Sequence, residues 1–170
     1  GPREAFVQMV RRHDDGWVVW EQRPEVHAGR PRDFMEMPLD EALAIYRRSI
    51  AVASTISRCA GIVVGAHFRH LVQMTSEKHE ARHDWARDVE HLAEDFLDEQ
   101  DGLRREFVQT VATADHARAE ADVDRGLHLL QCLDFASLWL CCAERTVPQT
   151  IVGPERRGGD DRFGARTEFR

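Results

Sequence analysis

The chain has 170 residues, 42% of them hydrophobic and 31% charged, with a formal net charge of -7. This suffices for one globular domain with its own core, and the acidic balance argues against gripping nucleic acid through its phosphates, which needs a basic face. No stretch approaches the roughly 18 apolar residues of a membrane span, and no charged-then-apolar export signal opens the sequence, so a cytoplasmic protein with no membrane attachment is expected.

From Arg3 to Asp14 the apolar residues Phe6, Met9 and Val10 mark a helical stripe that His13 continues. Gly16 then breaks the helix, and residues 21–38, with Pro24, Gly29, Pro31 and Pro38 among charges, read as a long ordered loop. Pro38-Leu39-Asp40-Glu41 starts a second helix that runs to about Ser57, with Leu43, Tyr46, Ile50 and Ala53 facing inward. A third covers Ala60 to Met74. A very long fourth runs from about His83 to Val111 on a stripe of Trp85, Val89, Leu92, Phe96, Leu103, Phe107 and Val111, with Asp101-Gly102 as a point of kinking or interruption. The last spans roughly Ala121 to Ala143. Neither an internal repeat nor βαβ alternation is present, so the fold class is all-α: a compact helical bundle over residues 1–145. The Gly/Arg-rich tail 146–170 is expected to be mobile or to form a short strand pair, Thr150–Val152 with Arg166–Phe169. Cys59, Cys132, Cys141 and Cys142 have no CxxC spacing and read as buried free thiols. The pairs Arg47-Arg48 and Arg104-Arg105 read as solvated helix faces. The sequence opens on Gly1-Pro2 without an initiator Met, which reads either as an artificial start or as an internal cut with an upstream piece missing.

Chemistry concentrates at a few polar residues on apolar stripes, because an unpartnered polar group in apolar surroundings costs several kcal/mol. Asp134 sits at the centre of the side formed by Val123, Leu127, Leu130, Ser137, Leu138 and Cys141. It is either a metal ligand or an acid that caps a neighbouring helix or pairs with a buried Arg. His13 shares a stripe with Phe6 and Met9 and is followed at the helix end by Asp14; both side chains can reach one ion there. Imidazole with carboxylate suits zinc, iron or manganese. His67 lies on the inner face of the third helix, with His70 one turn on; the pair serves a metal or a substrate, or His67 is packed and His70 exposed. His79-Glu80-Ala81-Arg82-His83 matches the HExxH pattern of zinc peptidases. Its charged flanks, Ser76, Glu77, Lys78 and Asp84, read instead as a solvated face.

The segments His13-Asp14-Asp15-Gly16-Trp17, Gly29 to Phe34 leading to Met37-Pro38, Ala44 to Arg48, Ala66-His67-Phe68, and Leu133-Asp134 before Ser137-Leu138 resemble a bacterial family, domain of unknown function 3891. That family is similar to the HD superfamily, all-α proteins whose His, His-Asp and Asp residues hold one or two metal ions. The resemblance implies His13 and Asp14 as the paired motif, Asp134 as the distal acid and His67 as a ligand for a second metal or the substrate. Two departures stand out. The superfamily's first ligand His comes from an upstream helix, and none of the twelve residues before His13 is a His. Trp17 also stands where many HD phosphohydrolases have a phosphate-contacting Lys, which weakens the phosphate-ester expectation. Trp17 and Trp20 either form an aromatic wall for substrate or pack on the 21–38 loop; Arg69, and Arg11 or Arg12, are candidates for the missing positive charge.

The resulting expectation is a metal-dependent hydrolase with a small-molecule substrate, using Fe, Mn or Zn. In it Asp14 and His67 are catalytic, His13, Asp14, His67 and Asp134 bind metal, and Trp17, Arg69 and His70 contact substrate. The alternatives are a di-iron oxygenase of HD type and a non-catalytic metal- or ligand-binding module.

Overall fold

The computed structural model describes residues 1–27, 29–32, 34–82, 85–111 and 113–142. In chain order these form α1 (Pro2–Arg12), a 3₁₀ turn (Asp15–Trp17), α2 (Val18–Glu21), β1 (Val26–His27), β2 (Arg30–Pro31), a 3₁₀ turn (Phe34–Glu36), α3 (Leu39–Ile56), α4 (Arg58–Arg82), α5 (Arg87–Gln109), a 3₁₀ turn (Thr113–Asp115) and α6 (His116–Cys142). The fold is all-α, as expected. Among the described residues no helix is long and apolar enough to cross a membrane. The expected tail strands, and the separate tail itself, lie outside the described residues.

The chain divides into two units, Gly1–Leu127 and His128–Arg170. In the first, α3 and α4 form the central pair, α5 packs on both, and α1 lies against the same two helices. Asp40 and Glu41 in the first turn of α3 complement the positive end of its dipole. Ser57 alone separates α3 from α4: its backbone is extended, and its hydroxyl accepts the Ala60 N–H at 3.0 Å, which caps the second helix. The core holds Leu43, Ile45 and Ala53 of α3, Val64, Phe68 and Val72 of α4, Phe96 of α5, Met9 of α1 and Val123 of α6. Burying each of the larger side chains contributes about 1.5–3 kcal/mol. The described residues of the 21–38 segment contain the antiparallel pair Val26↔Pro31 and His27↔Arg30.

Several helical faces differ from the sequence expectation. On α5, Leu92 and Leu103 are 40% and 38% exposed, while Ala93, Phe96, Gln100 and Val108 are buried. Asp101-Gly102 leaves α5 uninterrupted. In the second unit, Leu130 is buried and Asp134 partly so, but Ser137, Leu138 and Cys141 are exposed. The expectation of uniformly buried thiols is therefore corrected: Cys141 is exposed and Cys59 and Cys132 are only partly covered, all three free.

A close contact fixes the segment after α1. A Cβ on Gly16 would lie 2.3 Å from the Ile45 carbonyl oxygen and 2.5 Å from the Ser49 hydroxyl, so no larger residue fits unless α3 shifts. The Gly16 N–H donates to the buried Ser49 Oγ at 3.1 Å, and Arg48 Nε donates to the Gly16 carbonyl at 3.3 Å. Gly16→Ala is expected to destabilise the fold by about 1–3 kcal/mol through overpacking, and Ser49→Ala by about 1 kcal/mol through loss of the hydrogen bond. Urea denaturation checks both; an unchanged midpoint for Gly16→Ala would mean the turn does not sit this close to α3.

Candidate metal centre

Helix α1 ends at Arg12, so its last carbonyls lack partners in the helix. One of them, Val10 O, accepts a hydrogen bond from His13 Nδ1 at 2.7 Å. A carbonyl can only accept, so Nδ1 carries a proton; in the neutral ring Nε2 then holds the lone pair. A backbone carbonyl behind one imidazole nitrogen is how metal-ligating histidines are commonly oriented. Beside Nε2, at 3.2 Å, lies Asp14 Oδ2; the His13 side chain is 13% exposed and that of Asp14 52%.

His67 reaches the same place from α4. It is 3% exposed, and its ring meets that of His13 edge-on, with centroids 5.7 Å apart and planes at 79°. Three of the expected site residues, His13, Asp14 and His67, are thus gathered within the first unit. The 3.2 Å between Nε2 and Oδ2 fits two arrangements. An imidazolium can donate to the carboxylate, or the two atoms can be neighbouring ligands of one ion, since bonds of about 2.0–2.1 Å place adjacent ligands about 3.0–3.4 Å apart. The donor set of two imidazoles with carboxylate oxygen suits zinc, iron or manganese. Asp134 stands in the second unit, on α6, and is partly buried.

The aromatic residues explain how this corner is walled. Trp17 is edge-on to Trp20 (5.7 Å), to Phe34 of the 21–38 segment (6.5 Å) and to Tyr46 (6.4 Å). Of the two roles open to Trp17 in the sequence, packing on that segment is the one with contacts in the structure. Tyr46 stacks on Phe68 at 4.3 Å, and Phe68 is edge-on to His67 at 5.2 Å. Tyr46 is a member of this corner that the sequence reading placed only as an inward helix residue. Burial pushes its phenol above the ordinary range, and the Asp14 charge pushes it further the same way. The phenol therefore stays protonated beside the carboxylate.

Arg69 and His70 belong to a different place. Arg69 makes a bidentate pair with Asp101 of α5, Nε to Oδ1 at 2.7 Å and Nη2 to Oδ2 at 2.8 Å. With His70 it lines a cavity to which His13, Asp14 and His67 do not contribute. His79 and Glu80 fall near the C-terminal end of α4, while His83, the second His of the HExxH pattern, lies outside the described residues.

Tyr46 is the only tyrosine, so spectrophotometric titration reads it directly. Its ionisation should begin above the ordinary phenol range and move down in Asp14→Asn. A folded pKa raised above the unfolded one means the unfolded chain loses its proton first as pH rises. Stability contributed by the protonated phenol is thus complete below the ordinary phenol pKa and is lost as pH climbs from there through the folded value. Titration at the ordinary value would show a solvated phenol.

Comparison with known proteins adds the family. No curated protein and no solved structure matches the chain. The family model described as "Protein of unknown function (DUF3891)" matches residues 2–164. The chain therefore belongs to the DUF3891 family.

Proposed function

We propose that this protein is a metal-dependent hydrolase of HD-superfamily type acting on a small-molecule ester, phosphoesters included. The proposal assigns one divalent ion to His13 and His67 of the first unit, and takes as its carboxylate ligand Asp134, the distal acid that the resemblance to the HD superfamily implies. The observation that carries it is the orientation of His13, whose Nδ1–H is held by the Val10 carbonyl while Nε2 lies beside Asp14. In the neutral ring this orientation presents the Nε2 lone pair next to a second, buried imidazole, which supports ligation.

When bound, the ion would supply Lewis acidity, lowering the pKa of water so that a nucleophile exists near neutral pH. The protein's own groups do the rest. His13 and His67, fixed by the backbone and by burial, hold their donor nitrogens in place. Asp134 would supply the carboxylate of the set. Asp14, the most exposed of the group, accepts at Oδ2 the proton given up by the attacking water. Tyr46, kept protonated near the Asp14 charge, offers a hydrogen-bond donor to the corner. The row from Trp17 through Tyr46 to Phe68 limits solvent on that side.

Elemental analysis of the purified protein tests the proposal. One zinc or manganese per chain is the expected result; two irons with a visible absorption band would replace the hydrolase with an oxygenase, and no metal at all would leave a non-catalytic module. Asp134→Ala and His67→Ala should each abolish metal uptake while circular dichroism shows the helices largely retained. Unchanged metal content in both variants would refute the assigned site. Glu80→Ala should leave the bound metal unaltered, and loss of zinc in that variant would point to the HExxH segment instead.

A further inference from the structure

A second polar site lies between α4 and α5. A cavity of about 150 Å³ is lined there by Arg69 and His70 of α4 and by Gln100, Asp101 and Arg104 of α5, with apolar Ile62, Ala66 and Leu127 closing it. Gln100 is 5% exposed, and its Nε2 has no hydrogen-bond partner among the described residues. Buried amide groups are normally bonded, so an orphaned donor beside an open volume points to a missing acceptor. The position of this amide depends on Gly65: a Cβ there would come within 2.5 Å of Gln100 Oε1. Glycine at that point of α4 gives the Gln100 amide the space it occupies.

The charges around the cavity decide what kind of acceptor it takes. Asp101 has both oxygens on Arg69, whose Nη1 also bonds Gln73 at 2.9 Å, so this pair is balanced. Arg104 gives one N–H, from Nη2, to Asp124 at 2.7 Å, and Asp124 is 61% exposed and outside the lining. That leaves further N–H groups of Arg104, the Gln100 amide and the His70 ring facing a volume the size of a small polyatomic ion. All three supply donors, and one bears a full positive charge. Charge-assisted donors of this kind select oxyanions.

We propose that the α4–α5 cavity binds a small oxyanion, a phosphate or carboxylate group, through Arg104 and the Gln100 amide. This site is separate from the His13–His67 corner and does not rest on the proposed hydrolase activity. Gln100→Leu removes the buried donor; Arg104→Gln is a half-exposed change that keeps the helix and removes the charge; Gly65→Ala forces the amide aside without altering any donor.

The probes are inorganic phosphate, acetate and glycerol phosphate, each titrated against potassium chloride of equal ionic strength. Binding is read from the Gln100 side-chain amide resonances and by calorimetry. Saturable shifts are expected with at least one oxyanion and not with chloride, weakened about tenfold or more in Arg104→Gln and also weakened in Gly65→Ala. Tighter binding of glycerol phosphate than of phosphate would identify the occupant as the headgroup of an organic ligand; the reverse order would identify a free anion. His67→Ala should bind oxyanions as the parent does, which separates this site from the metal centre. Shifts no larger than those given by chloride, or equal affinity in folded Arg104→Gln, would overturn the proposal.

Discussion

The absence of a side chain at Gly16 allows the turn after α1 to press against α3, with the Ile45 carbonyl and the Ser49 hydroxyl occupying the volume a Cβ would need. Much of the candidate site depends on this contact. It sets where α1 stops, which frees the Val10 carbonyl to hold His13, and it places Asp14 at the surface end of the turn and Trp17 against Tyr46. The side chains of Arg48 and Ser49, on successive positions of α3, bond the carbonyl and the N–H of Gly16, so the turn is held by hydrogen bonds as well as by packing. A turn held by hydrogen bonds to a buried helix keeps a site more exact than a free loop would.

His67 illustrates the balance between burial and chemistry. A charged imidazolium in the core is costly, whereas the neutral ring is tolerated as an aromatic group that packs edge-on against Phe68 and His13. The neutral state is also the one with a lone pair to donate. Packing and ligation therefore favour the same protonation state, and no reorganisation is needed between them. Asp14 is the opposite case, its side chain 52% exposed.

Much of the fold was legible because punctuation and period agreed. Pro38-Leu39 with Asp40 and Glu41 marked the start of α3 to within a residue, and Ser57 its end. The extent of α4 was less clear, since Gln73, Glu77 and Lys78 lie on a solvated face and carry no apolar period past Met74. On α5 the largest apolar residues suggested a face, yet Ala93 and Gln100 are buried where Leu92 and Leu103 are not. Small size and a polar head give hydrophobic periodicity nothing to detect. At the candidate site, His13 and His67 were visible because a titratable group on an apolar stripe is anomalous. Tyr46 was not, as a phenol passes for an ordinary inward aromatic. The Gln100 amide and its dependence on Gly65 were also hidden, because the two are neighbours only in space.

The segment before α3 is fastened differently from the helices. Arg32 bonds Glu41 on the first turn of α3 and lies 3.1 Å from Glu25, which faces it across the open end of the small strand pair, while Arg30 bonds Glu36 at 3.1 Å. These clasps are largely ionic, and mobile ions compete for such partners within a screening length of about 8–10 Å at ordinary salt. Dissolved electrolyte should consequently loosen this flap, and with it the cover Phe34 gives Trp17, well before it touches the interlocked hydrocarbon of α3, α4 and α5.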